Sequence, residues 1–334
     1  MKEKVIIEDA NSSEISSDNI EPFLPTKELQ NLEVDESVYS LLEYIEVDWP
    51  SQTIATKDNA AFLATNPSKG KKPCLVRLDF SQTNNYKNVD KFIYDRVEID
   101  ENINRMRIRG NQIIAISENK FLTYDLDGIE KYSFIDKFSY GLAHNEKYIA
   151  TGKQNGEILV FDSNMCKKSY QIHEKKVESI CIDNEKIYSG GCDFFVKAYD
   201  MKSETEIFSI PNKNDVNAVD LKNNMLVFGD DAGQICVIDV RKTNSKLEEI
   251  LWHKTPISMI KWKTDCEFYT LSDEQLCIWD TEFEEDWEYH KWLKFVHSGH
   301  KYFKDVDFID DIILTTSIDG VCLFSLNIEA DSQY

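Results

Sequence analysis

The feature that most constrains the fold is a short ending that recurs along the chain at nearly regular intervals. An apolar residue followed by aspartate closes one strand-like run after another, and successive endings are 46, 37, 38, 39, 41 and 45 residues apart. The endings are Leu78-Asp79, Tyr124-Asp125, Phe161-Asp162, Tyr199-Asp200, Ile238-Asp239, Trp279-Asp280 and, with serine replacing the acid, Phe324-Ser325. A period of about 40 residues indicates a repeat architecture in which each unit is one small supersecondary structure.

Each unit has the same internal order of strand-like runs. An alternating run such as VESICI (177–182) comes first, and a second such as MLVFGD (225–230) follows it. A tight turn such as Asn155-Gly156 then leads into the third run, which ends in the apolar-Asp pair. Alternation predicts strands, and Asn, Asp and Gly supply the positive φ of tight turns. Three strands plus a connecting fourth at this period resemble the WD-repeat blade, so we predict an all-β, seven-bladed WD-repeat β-propeller.

The last unit lacks room for a fourth strand of its own. Its third run, VCLFSL (321–326), is followed by eight residues. A propeller sheet that ended there would leave an unpaired edge, which natural proteins avoid. We therefore expect a segment before the first blade, near residues 49–56, to supply the missing strand and close the ring.

The part of the chain before the first blade is strongly acidic, since residues 1–48 carry 13 acids and 3 bases. We predict a disordered acidic tail at residues 1–22, an N-terminal segment with a helix at residues 23–48, and the propeller at residues 49–334. The helix is expected because Asp35 is a suitable N-cap. The apolar residues after it fall at helical spacing on one face, and they are Val38, Leu41, Leu42 and Ile45.

A second acidic stretch follows the sixth repeat, where residues 280–288 hold six acids and no base. We call this stretch the acidic insertion and predict a loop that binds a cationic ligand, with carboxylates receiving lysine and arginine and rings offering cation–π faces. The alternative is a solvated loop whose rings pack back onto the blade. The candidate client-binding residues are Glu282, Phe283, Glu284, Glu285, Asp286, Trp287, Glu288 and Tyr289, with Asp35, Glu36, Tyr39 and Leu42 from the N-terminal segment.

The net charge restricts the partners that the protein can bind. The chain has a formal charge of −22, whereas binding to nucleic acid depends on lysine and arginine that neutralise phosphates. We therefore expect a basic protein partner and no direct nucleic-acid or membrane contact. No apolar run approaches the ~20 residues that span a bilayer. The N-terminus lacks the apolar core of a signal peptide and the eight cysteines form no C-x-x-C pair, so we expect an intracellular protein with reduced thiols.

Motifs for catalysis are absent from the sequence. It contains no G-x-S-x-G, no phosphate-binding G-x-x-x-x-G-K-[ST], no H-E-x-x-H and no G-x-G-x-x-G. His297 and His300 lie three residues apart, but the sequence places no carboxylate or thiol cluster beside them. We therefore predict a protein that is not an enzyme, with no cofactor and no metal site.

Four stretches narrow the resemblance to one branch of the WD-repeat superfamily. They are a pattern of Leu24-Pro25, Leu32, Asp35, Tyr39, Leu42 and Trp49-Pro50, then INRMRI at 103–108, QLCIWDTEFEED with WLKFVHSGH within 275–300, and LTTSIDGVCLFSLNIE at 314–329. The first resembles the retinoblastoma-associated histone-binding WD-repeat proteins, and the third resembles both these proteins and the glutamate-rich WD-repeat family. The second and fourth resemble the glutamate-rich family, which is related to the histone-binding proteins, so the four together favour the glutamate-rich branch. The chain departs from that family in its glutamate run, which is reduced to residues 280–288.

The resemblance implies a ribosome-assembly chaperone whose client is a basic large-subunit ribosomal protein. We accordingly expect a monomeric, non-catalytic factor that binds and shields this client, in the nucleus and nucleolus with a cytoplasmic pool. Two other functions stay open. One is a histone-binding chaperone with a histone H3 or H4 client, and the other is a scaffold subunit of a larger nuclear complex.

Overall fold

A computed structural model of the protein describes residues 35–68, 70–81, 92–243, 245–283 and 289–327. Within these ranges, 28 strands form seven antiparallel sheets of four strands each, and the one helix is a 3-10 turn at Glu36–Val38. The predicted all-β, seven-bladed propeller is therefore confirmed. None of the described residues belongs to a helix with the length and apolar character needed to cross a membrane. The predicted acidic tail at residues 1–22 lies outside the described residues.

In blades one to six the four strands follow one another along the chain, from the innermost to the outermost. Blade one contains β2 (Ser51–Lys57), β3 (Ala60–Thr65), β4 (Cys74–Asp79) and β5 (Ile93–Glu98). Blade two contains β6 (Arg105–Arg109), β7 (Gln112–Ile116), β8 (Lys120–Asp125) and β9 (Glu130–Ile135). Blade three contains β10 (Phe138–His144), β11 (Ile149–Lys153), β12 (Glu157–Phe161) and β13 (Lys167–Gln171).

The next three blades repeat this order. Blade four contains β14 (Val177–Asp183), β15 (Lys186–Gly191), β16 (Phe195–Asp200) and β17 (Thr205–Pro211). Blade five contains β18 (Val216–Lys222), β19 (Met225–Asp230), β20 (Gln234–Asp239) and β21 (Lys246–Leu251). Blade six contains β22 (Met259–Trp262), β23 (Glu267–Leu271), β24 (Gln275–Asp280) and β25 (Leu293–Ser298).

Blade seven is assembled from both ends of the propeller. Its inner strands are β26 (Asp305–Ile309), β27 (Ile312–Thr316) and β28 (Val321–Leu326), and its outermost strand is β1 (Tyr39–Ile45). β1 pairs antiparallel with β28, with Tyr39 opposite Leu326 and Ile45 opposite Val321. Closure by a segment before blade one is therefore confirmed, but the segment is residues 39–45 and not the region near residues 49–56, which forms β2 instead.

The predicted N-terminal helix is wrong for residues 39–45. β1 packs apolar side chains on both of its faces, although Ser40 and Tyr44 are exposed, and a bulge between Tyr39 and Leu41 shifts the alternation by one position. Leu41 and Ile45 face the core between blades seven and one, whereas Tyr39 and Leu42 face the core between blades six and seven. Apolar residues on both faces, together with the bulge, give the sequence the same spacing of apolar residues as one face of a helix. Asp35 does act as a cap, because its carboxylate accepts from the Ser37 amide at 3.0 Å, but the helix that it caps is a single 3-10 turn.

Seven apolar clusters fill the seven spaces between neighbouring blades, so most inner strands are buried on both sides. β3, with the sequence AAFLAT, is buried along its whole length. The largest buried rings include Trp252 and Trp279, which meet edge to face at 6.2 Å between blades five and six. Burial of a side chain of this kind stabilises a fold by roughly 1.5–3 kcal/mol relative to exposure. The ring is therefore held together by contacts that no isolated blade could make.

The recurring aspartate has a local structural cause. In six blades the carboxylate at the end of the third strand accepts a hydrogen bond from the amide two residues later, which forms an Asx turn into the fourth strand. The pairs are Asp79 with Ser81, Asp125 with Asp127, Asp162 with Asn164, Asp200 with Lys202, Asp239 with Arg241 and Asp280 with Glu282, at 2.8–3.1 Å. No such turn connects β28 to β1, and Ser325 instead lies 2.7 Å from the Ser40 hydroxyl of β1. The serine in the seventh ending therefore marks the closure of the ring.

The innermost strands of blades seven, one and two are joined by a buried charge cluster. Asp305 is fully buried, and its carboxylate accepts from Arg107 at 2.9 Å, from the Thr53 hydroxyl at 2.8 Å and from the Ile54 amide at 3.2 Å. The Arg105 guanidinium lies 3.6 Å from the same carboxylate. Burial opposes the ionisation of Asp305, but the two guanidinium groups outweigh it and lower its pKa.

Candidate functional site

The propeller topology places both acidic regions on one face of the ring. In a four-stranded blade, the first-to-second and third-to-fourth connections lie on the same face. The acidic insertion belongs to the third-to-fourth connection of blade six, between β24 and β25. Residues 35–38 enter β1 beside the end of β28, where Tyr39 pairs with Leu326. The N-terminal segment and the acidic insertion therefore emerge on the same face, at neighbouring blades.

The first part of the insertion is fixed to blade six by backbone hydrogen bonds. The Thr281 amide donates to the Cys266 carbonyl at 2.9 Å, and the Phe283 amide donates to the Asp280 carbonyl at 3.1 Å. Glu282 is exposed and Phe283 is partly buried. The predicted residues Glu284, Glu285, Asp286, Trp287 and Glu288 lie outside the described residues.

Residues 289–291, which follow the insertion, are held by aromatic contacts and by one acid of blade five. Tyr289 meets Trp252 edge to face at 5.9 Å, and the His290 ring meets Trp279 in the same way at 5.7 Å. Glu248 of β21 lies 3.1 Å from His290 Nε2 and 3.4 Å from Lys291 Nζ. Tyr289 thus packs back onto the blades, as the alternative interpretation of the insertion predicted for its rings.

The four candidate residues of the N-terminal segment separate into two groups. Asp35 and Glu36 are exposed. Hydrogen bonds from Ser37 lower the pKa of Asp35, which keeps it charged. Tyr39 and Leu42 are partly buried between blades six and seven, and the Tyr39 hydroxyl lies 3.0 Å from His297 Nδ1. Asp35 and Glu36 therefore lie on the surface, whereas Tyr39 and Leu42 pack the closing strand against blade six.

The same face carries acids that the sequence analysis did not single out. They lie in the short turns between the first and second strands of blades one, six and seven, and they are Asp58, Asp265, Asp310 and Asp311. The Asp265 and Asp311 side chains are 74% and 90% exposed. The repeat register could have revealed them, because each lies one to three residues after the end of a first strand. We use the term acidic face for the side of the ring that carries the exposed described acids Asp35, Glu36, Asp58, Asp265, Glu282, Asp310 and Asp311, and on which the acidic insertion begins at the end of β24.

The central channel of the ring is lined by both basic and acidic side chains, unlike the acidic face. A cavity of about 200 Å³ lies there, and its lining includes Arg105, Arg107, Asp220 and Lys261. The arginines contact Asp305, and Lys261 lies 2.7 Å from Asp307. Burial raises the pKa of Asp220, whose carboxylate accepts from the Trp262 amide at 2.8 Å. These contacts join the inner strands to one another.

The architecture defines the class of this protein as a seven-bladed β-propeller, consistent with a WD-repeat protein. No family model matches the sequence, and no curated protein matches it. The repeats, the fold and the distribution of charge therefore carry the argument about function.

Proposed function

We propose that this protein is a non-catalytic binding protein that captures a basic protein on its acidic face. The observation that supports the proposal is the shared location of two acidic regions that are far apart in sequence. Residues 35–36 and the acidic insertion emerge at neighbouring blades, and acidic turns at Asp265 and at Asp310-Asp311 lie in those same blades.

The chemistry of such a surface favours long-range attraction and reversible binding. Exposed carboxylates of the same sign repel one another, and a lysine- or arginine-rich client relieves that repulsion. Complementary charge mainly accelerates association and selects the partner. Exposed charges are screened beyond ~10 Å at 0.1 M salt, so capture of the client weakens as the salt concentration rises.

The resemblance to the glutamate-rich WD-repeat family refines this proposal. The client would be a newly made basic protein of the large ribosomal subunit, which the propeller shields and delivers during ribosome assembly. The protein would act as a monomer without touching nucleic acid directly, in the nucleus and nucleolus with a cytoplasmic pool. A non-catalytic role agrees with the propeller fold, which typically serves as a binding scaffold.

The test is affinity capture with charge-reversed variants, followed by mass spectrometry. The first variant combines Glu282→Lys with Asp311→Lys on the acidic face. The control combines Glu118→Lys with Glu274→Lys, two exposed acids in second-to-third strand turns, and therefore on the opposite face. Both variants change the net charge equally, so a loss of the client from the first alone supports the acidic face. Equal capture by both variants contradicts it.

A second variant tests the insertion itself, by reversal of Glu284, Glu285 and Asp286 to lysine. We expect loss of the basic client with an unchanged thermal unfolding curve, because these residues follow the end of β24 and take no part in the described strands. The identity of the captured protein separates the functions: a ribosomal protein supports the proposal, histones support the histone chaperone, and neither supports a scaffold. A client that stays soluble only with this protein present distinguishes a chaperone from a scaffold.

A further inference from the structure

Three side chains with metal-binding atoms meet between blades six and seven. His297 lies near the end of β25, His300 follows in the loop to β26, and Cys322 lies near the start of β28. Their ligand atoms all lie within 4.8 Å of one another, and within the described ranges no other group of three or more His, Cys, Asp and Glu side chains does so. Because β25 ends and β28 begins on the face opposite the acidic face, this cluster is separate from the proposed client site.

The spacing of the donor atoms is close to that of a metal site. His297 Nε2 lies 3.7 Å from Cys322 Sγ. Tetrahedral zinc with a Zn–S bond of about 2.3 Å and a Zn–N bond of about 2.0–2.1 Å places two such ligands about 3.6 Å apart. The pair is therefore already at ligand spacing. His300 is partly exposed, and its ligand atom lies within 4.8 Å of the other two, so it would complete the site after a shift of about 1 Å.

The orientation of both imidazoles is fixed by surrounding rings. His297 stacks on Phe324 at 4.2 Å and hydrogen-bonds through Nδ1 to the Tyr39 hydroxyl at 3.0 Å, which leaves Nε2 directed at the thiol. Histidines that bind metals usually donate their second ring N–H to such an outer partner. His300 stacks on Tyr44 at 5.3 Å with an interplanar angle of 11°. Two residues of the closing strand thus hold the two imidazoles.

Burial sets the protonation of the three side chains as they stand in this structure. It lowers the pKa of His297 to about 3, so the imidazole is neutral and its Nε2 lies at hydrogen-bond distance from the Cys322 thiol. Burial also raises the pKa of Cys322 to about 12, so the thiol keeps its proton until a cation displaces it. Burial lowers the pKa of His300 as well, although the nearby Asp319 carboxylate opposes this shift. That carboxylate adds negative charge beside the cluster.

We propose that His297, His300 and Cys322 bind one zinc ion. Two imidazoles and one thiolate suit this borderline-soft cation, and the fourth position is left to water or an external ligand. Binding forms one Zn–S and two Zn–N bonds and releases the Cys322 proton to solvent. The ion would link blade six to blade seven beside β1, so it would stabilise the ring where the first and last strands pair. This proposal reverses the expectation of no metal site and does not depend on the identity of the client.

The test uses the metal-free full chain and cobalt(II) as a spectroscopic probe. We expect one equivalent of cobalt to give the visible bands of a tetrahedral site and a thiolate-to-cobalt charge-transfer band, and zinc to abolish both. Cys322→Ser removes the charge-transfer band. The matched control is Cys236→Ser, since Cys236 is also a buried thiol in the third strand of a blade, and this variant keeps the full spectrum.

Tyr39→Phe and His300→Gln keep the test valid if Cys322→Ser fails to fold. Loss of an outer-shell partner weakens metal affinity about 10- to 100-fold, and we expect this loss for Tyr39→Phe with an unchanged circular dichroism spectrum. His300→Gln removes a ligand and prevents the stoichiometric tetrahedral spectrum. No charge-transfer band at one equivalent of cobalt, an equal spectrum in Cys322→Ser, or tight binding of copper without zinc or cobalt overturns the proposal.

Discussion

Removal of the buried anion at the centre of the ring is the sharpest test of how the propeller closes. Asp305→Asn keeps the size of the side chain and its capacity to accept from Thr53, but it removes the charge. Among the described residues, Asp305 provides the carboxylate within 4 Å of both Arg105 and Arg107. The substitution therefore removes the carboxylate that contacts both guanidinium groups in this buried site, and the remaining acids Asp220 and Asp307 act on Arg107 at longer range.

The expected loss follows from that burial. The Arg105 and Arg107 side chains are 10% and 16% exposed, and Asp305 is not exposed at all. Breaking a buried ion pair by removal of one partner costs about 3–5 kcal/mol. The entropy of unfolding is about 2.1 cal/mol/K per residue, so for 334 residues the loss lowers the melting temperature by about 4–7 °C.

Calorimetry of the two proteins measures this shift, with Asp100→Asn as the control. Asp100 pairs with Lys72 at 3.2 Å on the surface, where such pairs contribute about 0–1 kcal/mol. The pKa of Asp305 in the fold lies below its ordinary value of 3.8, so its contribution is complete above pH 3.8 and is lost as the pH falls below it. A melting temperature for Asp305→Asn within 1 °C of the wild type would refute the reasoning.

Two further predictions concern the closing strand and the buried histidines. Ile45 is 4% exposed, so Ile45→Ala should cost about 2–5 kcal/mol in urea unfolding, whereas Glu46→Ala, on the exposed neighbour, should cost little. An equal effect of the two would contradict the role of β1. Burial lowers the pKa of His144 to about 4 and of His253 to about 3 from 6.5, so their contribution to stability is present above pH 6.5 and is lost as the pH falls. Between pH 6.5 and 4, each histidine should lower the free energy of unfolding by about 1.4 kcal/mol per pH unit as the pH falls. A free energy of unfolding that does not change over this range would contradict the burial of the two histidines as neutral side chains.

The sequence predicts the number of blades because the third strand of six blades ends in an Asx turn with aspartate in the same position, and the seventh ending keeps the same spacing with Ser325. The aspartate is required by a turn of only a few residues, so it can be recognised in the sequence even where the rest of the repeat differs between blades. β1 shows the opposite case. Ser325, its contact on β28, is 285 residues away from Ser40, and apolar residues on both faces of β1 together with a bulge produce the spacing of a helix. Nothing within a short window distinguishes the two structures.

The two candidate sites also differ in how far the sequence alone predicts them. The acidic insertion is visible as a charge run, and its location beside the N-terminal segment follows only once β1 is known to complete blade seven. Cys322 is 25 residues from His297 and in a different blade, so sequence spacing gave no sign that they meet. Tyr39 and Leu42 were singled out as surface contacts because a helix would have left one face exposed, whereas the strand packs both against blade six.

The pairing of β1 with β28 has a consequence for synthesis on the ribosome. Ser40 leaves the exit tunnel long before Ser325, which is 285 residues later, and at ~5–20 residues per second the delay is roughly a quarter of a minute to a minute. During that time the first-made strand lacks its partner β28, and the last completed sheet exposes an apolar flank to solvent. We therefore expect nascent chains of this protein to need protection from aggregation until the final strand emerges.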